Sequence, residues 1–206
     1  MKHPVFGDIV LASEYPWWEG EVRLPFFANF DTLGNDIAAE RFCKKIGNVY
    51  KGPDPKATPE YRRRREGYFR SRIHNEDGKG PSPAQEQALR HLLDSDRAVC
   101  QAVIDGIFKS YLEQYDAYRE GLGQGWADPQ ELEDILPRLV SPVGLVTLIC
   151  LSSLDFHEAH KEGASYVGFS FHATWEEEHG IGVLTHGGKI VEVGIMDTAF
   201  TEHCVE

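Results

Sequence analysis

The chain has 206 residues, 41% of them hydrophobic, and a formal net charge of −12 at pH 7. This is the size of one ordinary domain, or of one domain with an insertion, and its composition excludes global disorder. The charge is unevenly spread: between Arg41 and Gly80 twelve Lys/Arg stand against five Asp/Glu, a local +7, which leaves −19 on the remainder. A body so acidic argues against nonspecific binding to nucleic acid or an anionic membrane, and suits recognition of a basic protein.

No apolar run reaches the roughly 18 residues of a membrane span. The opening MKHPVFGDIV carries no apolar h-region, so no secretory signal is expected. Four cysteines, Cys43, Cys100, Cys150 and Cys204, lack CxxC spacing, which suits free thiols in a reducing cytoplasm.

In chain order, Val5–Leu11 and Gly20–Phe26 read as a β-hairpin, the second strand alternating through Glu21, Val22, Arg23 and Leu24. Residues 41–81 mix Pro, Gly and charge without a sustained period and read as a basic excursion from the body. Ser82-Pro83-Ala84-Gln85 has the form of a helix start with a capping box, and that helix is predicted to reach about Leu93. A longer helix follows, with Val99, Cys100, Val103, Ile104, Ile107, Phe108, Tyr111, Leu112 and Tyr115 on one apolar face. GLGQG at 121–125 follows a helix rather than a strand, so it reads as a linker and not a dinucleotide loop. Asp128-Pro129-Gln130-Glu131 starts a short third helix.

From Val143 the period becomes two. Strands are predicted at Leu145–Leu154, Ala164–Trp175, Gly180–Leu184 and Ile190–Ile195, with His186-Gly187-Gly188-Lys189 as a tight turn. Val167, Phe169, Phe171, Ala173 and Trp175 share one face, and the long helix is expected to cover it. The fold class is therefore α+β: an N-terminal hairpin, central helices and a C-terminal four-stranded antiparallel meander.

Two constellations look like chemistry. WEEEHG (175–180) sets three carboxylates beside His179, a pattern for a divalent metal or a shared proton, or else a turn tied locally by His179. His157-Glu158-Ala159-His160 places two imidazoles three apart, where a zincin helix needs four, in a segment that reads as a hairpin loop. A metal-dependent hydrolase would need His157, His160, Glu178 and His179 together, yet loops after successive antiparallel strands lie at opposite ends of a sheet. Arg62, Arg63, Arg64 and Arg65, flanked by Tyr61 and Tyr68, could contact nucleic acid, or could lie on the acidic body itself. No nucleophile elbow and no complete catalytic set is visible, and no cofactor is expected.

GEVRLPFF (20–27) and residues 152–200 resemble an uncharacterised bacterial family, a domain of unknown function. The shared motifs are W-x-x-E-H-G-x-G-V from Trp175 and G-x-x-D-T-A-F from Gly194. The resemblance brings no activity with it. It implies that Trp175, Glu178, His179 and Gly180 matter as a unit, and a likeness to small acidic domains of toxin–immunity loci implies binding more than catalysis. The resulting expectation is a non-catalytic cytoplasmic protein, immunity-like, whose acidic surface binds a basic partner.

Overall fold

Among the described residues the chain forms nine strands, and three-to-four-residue apolar spacing marks the longest helix. The computed structural model describes residues 1–30, 59–75, 78–124 and 129–200. The strands are β1 (Lys2–His3), β2 (Gly7–Asp8), β3 (Val10–Leu11), β4 (Trp17–Arg23), β5 (Tyr68–His74), β6 (Ile149–Lys161), β7 (Ala164–Ala173), β8 (Glu176–His186) and β9 (Lys189–Gly194). The helices are α1 (Pro59–Arg65), α2 (Pro83–Asp94), α3 (Asp96–Gly123) and α4 (Pro129–Ile135).

β1 and β2 form a small antiparallel ribbon, and the other seven strands form one sheet in the order β3-β4-β5-β6-β7-β8-β9. β6 to β9 are the antiparallel meander expected from the sequence. The sheet is larger than the meander because β4 and β5 extend it, and β5 lies parallel to β6. The fold is α+β.

Several boundaries differ from the sequence reading, each for a physical reason. The second N-terminal strand starts earlier, at Trp17, and Leu24-Pro25 ends it in a 3-10 turn over Pro25–Asn29. Part of the stretch read as an excursion is structural: β5 pairs with both β4 and β6. Residues 31–58 and 76–77 of that neighbourhood, with Gly125 and the expected cap Asp128, lie outside the described residues. Pro142–Thr147 forms a 3-10 turn, so the first meander strand begins at Ile149 and runs to Lys161. His157 to His160 therefore lie within a strand, and the return is made by Glu162 and Gly163, both with positive φ.

Ser82 caps α2 as the spacing predicts. Its Oγ accepts from the Gln85 amide at 3.3 Å, while Gln85 Oε1 accepts from the Ser82 amide at 2.8 Å. The Gln85 Nε2 donates to the His74, Phe156 and His157 carbonyls, which ties the start of α2 to β5 and β6. The apolar face of α3 buries Val99, Cys100, Val103, Ile104, Ile107, Tyr111 and Tyr115, while Leu112 stays exposed. Tyr111 meets the Trp175 ring edge-on at 4.8 Å, so the aromatic stripe is packing.

The opposite face of the sheet is closed differently. The 3-10 turn Met196–Ala199 crosses β7 and β8 over Gly168 and Gly182. A Cβ at Gly168 would stand 1.7 Å from the Ala199 carbonyl oxygen, and one at Gly182 would stand 2.4 Å from that of Ile195. Only glycine permits so close an approach.

Candidate functional site

The chemistry-bearing residues gather on that second face, and strand register explains why. In β5, Phe69 and Ile73 point into the core, so Arg70, Arg72 and His74 share the opposite face. Parallel pairing sets Arg72 beside Asp155, and antiparallel pairing sets Glu19 beside Arg72 and Trp17 beside His74.

Asp155 is fully buried, and both its oxygens are used. Arg72 Nη2 donates to Oδ2 at 2.7 Å and to Ser153 Oγ at 2.9 Å, while His74 Nε2 donates to Oδ1 at 2.8 Å. His74 stacks on His157 with centroids 5.6 Å apart and planes within 6°. His157, buried, donates from Nε2 to the Ala199 carbonyl at 2.8 Å. The rings of Trp17 and Phe200 lie 5.8 and 5.2 Å from the Arg72 guanidinium carbon.

A buried carboxylate that orients an imidazole is half of an acid–base device. The other half is a nucleophile or a substrate proton within reach. Among the described residues no hydroxyl or thiol hydrogen-bonds His74, and the Ser153 hydroxyl is engaged by Arg72. The arrangement as it stands neutralises a buried charge and anchors the C-terminal turn.

The residues singled out in the sequence fall into separate places. Trp175 is buried, and it makes the β7–β8 turn together with Thr174. The expected connection WEEEHG is thus mostly strand: Ala173 pairs with Glu176, and Glu176 to His179 open β8. A register shift between Phe171 and Ala173 lets the turn close this early. His179 is half exposed, and its Nδ1 donates to Glu176 Oε1 at 3.1 Å. Glu178 is exposed, with an oxygen 4.0 Å from His179 Nε2. Gly180 has φ +58°, and a Cβ there would stand 2.4 Å from the Phe171 carbonyl oxygen.

His157 and His160 sit at the Lys161 end of β6, where His160 pairs with Ser165 of β7. His179 lies near the far end of β7, beyond the pairing of Phe171 with Ile181. They do not converge, and among the described residues no group of three or more His, Cys, Asp or Glu is placed to hold a metal.

Of the arginine run, Arg63 pairs with Glu21 and with Glu66, and stacks 3.6 Å from the Tyr68 ring centroid. The Glu21 hydrogen bond holds the Arg63 pKa above its ordinary value. Arg64 Nη1 donates to Cys150 Sγ. Arg62 lies on the exposed side of α1, and so does Arg65.

A second charged region lies at the Trp175 end. There the carboxylates of α4 and of the start of β8 lie near Tyr118 and Arg119 of α3. Desolvation raises the Glu177 pKa first, and the charge of Glu131 raises it further. Burial raises the Tyr118 pKa, with Glu176 adding to it. Glu133 is partnered by Arg119.

Sequence reasoning missed Arg72, His74 and Asp155 as a group. The available signal was the alternation Arg70-Ser71-Arg72-Ile73-His74, hidden because Pro, Gly and charge precede it.

No curated protein and no solved structure matches this chain. A family model described as a domain of unknown function, DUF6985, matches residues 58–200, from the start of α1 through the C-terminal turn. The match leaves β1 to β4 outside and takes in β5, β6 and the whole Arg72–Asp155–His74 group. Through that span the chain belongs to the DUF6985 family, a domain of unknown function.

Proposed function

We propose that the protein is a non-catalytic binding protein whose acidic end docks a basic segment of a protein partner. The observation that carries this is the acidity of the chain outside residues 41–80, a formal −19, to which Glu131 of α4 and Glu177 of β8 contribute; the Glu131 charge adds to the desolvation that raises the Glu177 pKa. A lysine or arginine from a partner would lower the repulsion among the carboxylates of this end. Two features support a binding role over catalysis. The Asp155–His74 pair is engaged with Arg72 beneath the C-terminal turn, and the histidines of the hydrolase alternative stand at opposite ends of β7. Nucleic-acid contact through Arg62 to Arg65 is disfavoured because Arg63 is already held by Glu21.

The setting we assign is the bacterial cytoplasm, in an immunity-like role of masking a basic protein. A net charge of −12 and two buried cysteines, Cys100 and Cys150, accord with it.

The test uses a lysine-rich peptide of about ten residues as probe, titrated into the full chain and followed by amide NMR. Binding at low salt that perturbs Glu131 and Glu176–Glu178, and that weakens steeply with added salt, is the expected result. Equal binding by the Glu131→Gln/Glu177→Gln double variant would overturn it.

A further inference from the structure

The polar face carries a second feature, distinct from the acidic end. Between α1 and strands β4 to β7 lies a cleft of about 660 Å³, lined by Glu19, Glu21, Arg63, Arg64, Arg70 and His172 among others. That volume falls within the range of small-molecule sites, roughly 300–1,000 Å³.

Charge inside the cleft is unevenly settled. Arg63 pairs with Glu21, and Arg70 with Glu19. Arg64 has no such partner: among the described residues no carboxylate stands within 4.0 Å of it. It is half-buried, rests on the thiol of Cys150 through Nη1, and lies 5.6 Å from the Tyr61 ring centroid. Its remaining N–H edge is the fork that fits two oxygens of a carboxylate or phosphate. Strand register places His172 of β7 beside Cys150, so imidazole and guanidinium stand over neighbouring strands. The two groups sense each other: desolvation lowers the His172 pKa first, and the Arg64 charge lowers it further. Tyr61 and Tyr68 contribute aromatic walls. Glu60, one turn earlier on α1, also lines the cleft but makes no ion pair with Arg64; a half-buried cation that has no ion pair among the described residues costs free energy, which an anion in the cleft would recover.

We propose that this cleft binds a small organic oxyanion, with Arg64 as the anchor of the anionic group and His172 as its second contact. The aromatic walls take the body of the ligand.

The experiment follows the His172 ring proton by NMR across a pH titration of the full wild-type chain, alone and with inorganic phosphate, phenyl phosphate or benzoate. A bound anion offsets the Arg64 charge, so the His172 pKa rises on binding. Tighter binding of phenyl phosphate than of benzoate identifies a phosphate ester as the ligand class, and the reverse identifies a carboxylate. Arg64→Gln is expected to weaken binding at least about tenfold, as loss of a charge-assisted hydrogen bond does. Arg65→Gln, the same charge removed from the exposed side of α1, is expected to change it less than about twofold. A His172 titration unmoved by all three probes overturns the proposal without any variant. Equal weakening by Arg65→Gln also overturns it, because binding would then be diffuse attraction.

Discussion

On one face of the central strands Ile73, Phe156 and Phe169 are fully buried under helices and the N-terminal ribbon. On the other, one residue along each strand, Arg72, Asp155 and Gly168 lie beneath a single turn of chain. The apolar face needs only volume and shape, and many side chains share its stabilisation. The polar face rests on a few groups that must all be paired, because a buried charge that loses its partner is costly. The same sheet is therefore tolerant on one side and brittle on the other.

Asp155→Ala gives the largest expected effect. It strands Arg72 and His74 beneath the C-terminal turn, and a loss of about 3–5 kcal/mol is expected for breaking a buried ion pair from one side. Urea denaturation with the slope held constant measures it. Because Arg72 and His74 are partly exposed, water will reach them to some degree. A loss below about 1 kcal/mol would mean that the pair behaves as a surface contact and the comparison fails.

Trp175→Ala tests the apolar face at the point where it meets the β7–β8 turn. Emptying a large aromatic site costs about 3–5 kcal/mol. The lower end is expected here, since the buried Trp175 Nε1 has no hydrogen-bond partner among the described residues and its removal returns part of that cost. Trp175→Phe should then cost much less than Trp175→Ala. If the phenylalanine variant is as unstable as the alanine one, the indole nitrogen has a partner and the packing account is incomplete.

The contrast between the faces also explains what the sequence made legible. The alternation from Val167 to Trp175 is local, so the buried side of β7 could be read directly, and the same holds for the Ser82–Gln85 capping box. The turn at His186–Lys189 was equally plain, with Gly187 and Gly188 at positive φ. The polar group was not legible because Arg72 and Asp155 meet through parallel pairing across 83 positions of chain. Nothing near either residue announces the other. The WEEEHG segment was legible in part: Trp175 is buried and His179 is tied locally to Glu176, but Glu176 pairs with Ala173, so the segment opens a strand where a connection was expected. Its glycine matters for backbone reasons, being in the left-handed region against the Phe171 carbonyl.

The smallest effect is the one that separates a docking surface from a merely solvated one. Glu177 lies at the surface, and its pKa is raised by partial desolvation and then by Glu131. The folded chain thus holds this proton more tightly than the unfolded chain does. Its favourable contribution is present below the ordinary glutamate pKa and is lost as pH rises through the raised value. At pH 7 the ionised Glu177 is a small liability. Glu177→Gln should stabilise the protein by about 0.3–0.5 kcal/mol after allowance for solvent screening. Thermal melts near pH 7 and near pH 4 decide the matter, because the gain should vanish at the lower pH, where the wild-type carboxyl takes up its proton. Added salt should shrink the gain at pH 7 as well. A variant no more stable than wild type at pH 7, or one whose advantage survives at pH 4, would show that Glu131 and Glu177 do not strain each other. The acidic end would then have no built-in demand for a partner's cation, and the proposed docking surface would lose its physical basis.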